Sequence, residues 1–94
     1  MPELHFALRW PDGSTETYYS PSTSIREHLA APASYPLPEL LTRVRAAMHH
    51  ASERVRAKYG FSCSSAAATL AQIEATAAVY ADRPAAEVEV LRLG

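Results

Sequence analysis

The residues best placed to do chemistry lie at 54–65. Ser62-Cys63-Ser64-Ser65 follows Gly60 and opens what reads as a helix, so hydroxyls and free backbone N–H groups gather at one helix start. That is the ordinary arrangement for holding an anion. Arg54, Arg56 and Lys58 precede it and add positive charge. Cys63, the chain's one cysteine, would have its thiol pKa lowered by such a position and such neighbours. A nucleophile also needs a base, and no histidine is locally placed to serve. The plainer reading is that the serines cap the helix, the basic residues form a solvated face, and Cys63 packs into a helix corner.

The other groups are less suggestive. His49 and His50 are adjacent, so on a helix they point about 100° apart and cannot both ligate one metal. His49 and Glu53 are four residues apart but give only two ligands. The expectation is no metal site and no cofactor, with these histidines on solvated polar flanks. One flank reads Arg45, His49, Ser52, Arg56; another reads Arg43, His50, Arg54. Phe6, Trp10, Tyr18 and Tyr19 cluster early. Stacking on single-stranded nucleic acid needs interleaved cations, and only Arg9 qualifies, so these rings read as core and subunit surface. Glu3, Asp12, Glu16, Glu27, Asp82, Glu87 and Glu89 form no acid/base pair. No glycine-rich phosphate loop is present. No catalytic residue is assigned, and the balance leans away from an enzyme.

The elements that must position these groups follow from periodicity. Leu4, Phe6, Leu8 and Trp10 alternate with Glu3, His5, Ala7 and Arg9, which is a half-buried strand. Pro11-Asp12-Gly13 is a turn, and Thr15, Thr17, Tyr18 and Tyr19 suit a returning strand. A three-residue loop with a glycine bulge sets Tyr18 opposite Phe6, whereas a two-residue loop sets Tyr19 there. Ser24-Ile25-Arg26-Glu27 has capping-box spacing and predicts a short helix at 24–30 within an otherwise looped segment 21–36.

Leu37, Leu41, Val44, Met48, Ala51, Val55 and Tyr59 predict a helix over 38–59, with Pro38 at its first turn and Gly60 as its stop. Twenty-two residues would span about 33 Å. Ala67, Leu70, Ile73, Ala77 and Tyr80 predict a second helix over 64–80, packed antiparallel on the first. Val88 and Val90 alternate with Glu87 and Glu89 in a third strand, with an irregularity near Leu91.

The expected fold is a single α+β domain over 1–94, ββ(α)ααβ. A three-stranded sheet of order 2-1-3 is covered on one face by the helical hairpin. The direction of the third strand is open. Two of three strands would be edges, which favours pairing with another copy, so a homodimer is expected.

Composition bounds the rest. Ninety-four residues, 48% hydrophobic and 20% charged, describe one ordinary globular domain. A net charge of −1, from nine basic and ten acidic residues, recruits neither nucleic acid nor a membrane surface. A single cysteine excludes an internal disulfide and suits a reducing compartment. Met1-Pro2-Glu3 does not begin a signal peptide. A cytoplasmic protein is the expectation.

Several stretches resemble a known family. They are 4–13 (LHFALRWPDG), Tyr19-Ser20-Pro21-Ser22, Ser34-Tyr35-Pro36-Leu37 and above all 51–66 (ASERVRAKYGFSCSSA). Together they look like the small bacterial nitrogen starvation response proteins, over residues 3 to 91. The block 51–66 is specific, because helix patterning does not dictate its order. The resemblance implies a protein of unknown biochemical function, encoded near a nitrilase, a radical-SAM protein, an acetyltransferase-like protein, a synthetase-like protein and a flavin-dependent oxidoreductase. The lack of a catalytic constellation, taken with the resemblance, leads to the expectation of a non-catalytic accessory or binding protein associating with enzymes of that pathway; the resemblance assigns no catalytic residue.

Overall fold

The alternating hydrophobics at the start of the chain form β1 (Leu4–Arg9), and the turn after them does what its residues require. In the computed structural model, which describes residues 3–60 and 64–94, the Trp10 N–H donates to the Ser14 carbonyl at 2.8 Å and the Gly13 N–H to the Trp10 carbonyl at 2.8 Å. Gly13 takes φ +90°, a conformation that costs glycine nothing. The three-residue loop is thus the one adopted. It returns the chain as β2 (Thr15–Ser20) with Tyr18 opposite Phe6.

Segment 21–36 departs from expectation. A 3-10 turn occupies Thr23–Glu27 in place of a helix at 24–30, with the Ser22 hydroxyl accepting from the Ser24 N–H at 3.1 Å. Ala33–Pro36 is a strand, β3, where a loop was expected. It pairs antiparallel with β4 (Glu87–Leu93), setting Tyr35 opposite Val88 and Pro36 opposite Glu87. Four residues ending in Pro carry almost no strand signal. Such a strand survives only at a sheet edge, where the missing N–H faces no ladder.

The expected three-stranded sheet is therefore corrected to four strands, order β2-β1-β4-β3, all neighbours antiparallel. β1 is interior as expected, and the last strand runs antiparallel to it. The pairing steps from Ala7↔Arg92 to Leu8↔Val90, leaving Leu91 as the extra residue of a bulge. The irregularity near Leu91 is thereby accounted for.

The long helix α1 spans Leu37–Tyr59, and α2 spans Ser64–Ala78. Glu39 and Arg43 pair at 3.0 Å across one turn. Phe6, Leu8, Trp10, Val88 and Val90 from the sheet meet Leu40, Val44, Met48 and Ile73 from the helices in one core. The buried stripe of α2 is Ala66, Thr69, Ile73 and Ala77, one step away from the expected Ala67 and Leu70. Ala67 is exposed and Leu70 half-buried. The rotation follows from Thr69, whose hydroxyl donates to the Tyr19 carbonyl of β2 at 2.7 Å. That bond aims a polar residue at the sheet and turns Ala67 away from it. α2 ends at Ala78, and buried Tyr80 lies in the turns that follow, stacked on Trp10 at 6.1 Å.

Candidate functional site

The basic end of α1 is built by the helix running past its core contacts. Val55 is the last buried residue of α1; Arg56, Ala57, Lys58 and Tyr59 are exposed. Gly60 stops the helix at φ +80°, with its N–H donating to the Arg56 carbonyl at 2.8 Å. Cations in the last turn also complement the helix dipole. Arg56 comes 4.0 Å from Glu53, and the Lys58 ammonium lies 5.6 Å from the centre of the Tyr59 ring. Tyr59 is 51% exposed, unusual for so large a ring. Arg54 is exposed as well.

Of the residues expected to form an anion site, Arg54, Arg56 and Lys58 lie in the last turns of α1, Arg54 and Lys58 on one side of the helix and Arg56 on the other. Ser64 is the exposed first residue of α2, and Ser65 is half-buried behind it. Ser62 and Cys63 lie outside the described residues. A cleft of about 230 Å³ opens between the helices nearby, lined by Arg45, Met48, His49 and Ser52 from α1 and by Ala66, Ala67 and Leu70 from α2. Arg45, His49 and Ser52 thus share a face as their spacing implied. Arg56, the fourth member of that flank, does not line the cleft. Arg45 is engaged by Glu74, with its Nη2 2.8 Å from the carboxylate. A more voluminous groove of about 460 Å³ shares Arg45 with it, walled by Leu37, Leu41, Ala77, Ala78 and Pro84.

The second flank, Arg43, His50 and Arg54, divides. Arg43 links α1 to the segment before it. Its Nη1 donates to the His28 carbonyl at 3.0 Å, and its guanidinium lies 4.7 Å from the centre of the Tyr35 ring. His50 Nδ1 meets His28 Nε2 at 3.2 Å, a contact the sequence does not announce because 22 residues separate the two. The ring centres are 5.4 Å apart, near the most that this N···N distance permits. The two nitrogens therefore face each other, as in a hydrogen bond, and do not converge on a common ion. Among the described residues, no three of His, Cys, Asp and Glu are grouped to hold a metal.

Shifted titrations lie elsewhere. The Ser14 hydroxyl and N–H hold the Asp12 carboxyl below its usual range, and burial raises the phenols of Tyr18 and Tyr80. All three are on the hairpin side. Among the described residues no helix is long and apolar enough to cross a membrane.

No curated protein and no solved structure matches the chain. Residues 5–93 match the profile of the family described as nitrogen starvation-induced protein NitG, and the chain belongs to that family.

Proposed function

We propose that this protein is a non-catalytic binding protein of a nitrogen-starvation pathway, and that the end of α1 docks on an acidic surface of a partner enzyme. The observation that carries this is Tyr59, 51% exposed beyond the last buried residue of α1, with the Lys58 ammonium 5.6 Å from its ring centre and Arg54 and Arg56 exposed on the helix before it. An exposed aromatic among cations matches the anatomy of a binding hot spot, with the ring as anchor and the charges steering approach. The pathway assignment draws on the family and on the nitrilase-type gene neighbourhood that the resemblance implies.

The test is affinity purification of tagged protein from nitrogen-starved cells, beside Arg54→Ala/Arg56→Ala and Tyr59→Ala variants. An identified pathway enzyme should accompany the wild type, weaken with added salt and be lost with both variants. Failure to recover any such enzyme, or its full retention by the variants, removes the proposal. A second reading, a small anion held between Ser64 and the Arg45–His49–Ser52 cleft, predicts thermal stabilisation by inorganic phosphate that His49→Ala abolishes. Saturation at 100 times Kd would add about 2.7 kcal/mol.

A further inference from the structure

We infer that the outward-facing backbone of β2 at Thr15 and Thr17 is the contact between two copies of this chain, joined about a twofold axis at Thr17. The ladder with β1 decides which backbone groups are free. It begins with the Trp10 N–H on the Ser14 carbonyl, so the bonded pairs that follow are Leu8/Glu16, Phe6/Tyr18 and Leu4/Ser20. The N–H and C=O of Thr15 and Thr17 point away from β1, along an edge that no other strand covers. Unpaired strand edges are templates for another strand unless something blunts them.

The sheet's two edges differ in this respect. β3 is four residues long, preceded by Pro32 and ended by Pro36. β2 is six residues long and holds no Pro, Lys or Arg. Its one charge is Glu16. An axis at Glu16 would put two carboxylates directly opposite, which is unfavourable. An axis at Thr17 avoids that. Thr17 then exchanges two hydrogen bonds with the partner subunit's Thr17, and each Glu16 faces the partner's Tyr18.

Strand pairing alone buries less than the roughly 800 Å² per partner of a standard interface. The flank of α2 that points away from α1 adjoins this edge, because Thr69 ties α2 over β2. Ala68, Gln72 and Thr76 lie on it at helical spacing, and Val79, in the turn that follows α2, is 71% exposed. The only charged residue of α2 is Glu74, which is turned to Arg45 of α1. A twofold normal to the sheet sets this uncharged flank against its counterpart while the edges pair.

Analytical ultracentrifugation of the full chain from about 1 to 500 µM, with circular dichroism to confirm folding, tests the inference. The wild type should be dimeric within that range. Thr17→Lys sets two cations face to face and should raise Kd at least about tenfold. Thr17→Pro, which removes the outward donor, should be monomeric; if it fails to fold, Thr17→Lys decides. Ser34→Lys on the other edge should leave the dimer intact. The Thr15 and Thr17 amides should exchange slowly in concentrated protein and quickly on dilution. A wild type that stays monomeric overturns the inference, as does a folded Thr17→Lys protein that dimerises undiminished.

Discussion

Replacing Tyr18 with Phe removes the acceptor of one buried hydrogen bond. The phenol oxygen accepts from Trp10 Nε1–H at 3.1 Å, and Trp10 and Tyr18 are 1% and 5% exposed. Phe keeps the ring that lies 5.6 Å from Phe6, so little packing is lost. What changes is the indole N–H, left in the core without its acceptor. An orphaned buried donor costs about 1–3 kcal/mol, more than the bond itself contributes, because water cannot reach it. A domain of this length holds about 5–14 kcal/mol in all, so one oxygen atom carries a visible share.

Urea unfolding followed by the fluorescence of Trp10, the chain's single tryptophan, reads the effect where it occurs. With slopes of about 1–3 kcal/mol/M the midpoint should fall by roughly 0.3–3 M at unchanged slope. A linked test uses alkaline pH. Burial raises the Tyr18 pKa above 10.0, so the unfolded chain releases this proton first. The stabilising contribution is full below about pH 10 and is lost as pH rises through the folded value. Tyr18→Phe should therefore lose less stability than the wild type on going alkaline. A midpoint unchanged within error would refute the reasoning, since the Trp10 N–H would then have another acceptor.

Two further perturbations probe the ends of elements. Gly60→Ala places a Cβ at φ +80° with no neighbouring atom within 4 Å, so the cost is backbone alone, about 1–2 kcal/mol in thermal or urea unfolding. Asp12→Asn removes the charge that the Ser14 hydroxyl and N–H favour at 2.6 and 2.9 Å. The folded Asp12 pKa lies below the unfolded one, so its stabilisation is present above the unfolded value and fades as pH falls through the folded one. The variant should unfold with a flatter acid limb than the wild type.

The long-range contacts follow a different logic from the local ones. α1 was legible because its stripe repeats over six turns, which leaves no competing period. The hairpin register was reduced to two alternatives, and the Gly13 conformation selects between them. β3 was not legible, because Ala33–Pro36 becomes a strand only where β4 offers an edge to pair with. The phase of α2 was missed for a related reason. Alanines mark no face by themselves, and the bond from Thr69 to β2 chose one.

The candidate site divides along the same line. Arg54, Arg56 and Lys58 could be placed together from sequence because they share one helix end. Their exposure along with Tyr59 could not, since it depends on where the core stops under α1. Arg43 and His50 read as surface residues, and only the packing of the 3-10 turn on α1 gave them partners 15 and 22 residues away. The sequence by itself determined the presence of the two long helices, the first hairpin and the family, because those rest on local periodicity, turn chemistry and residue order. The tertiary structure alone decided the fourth strand, the free edge at Thr15 and Thr17 and the reach of α1 beyond the core. Each of these depends on which distant backbone or side chain is left without a neighbour.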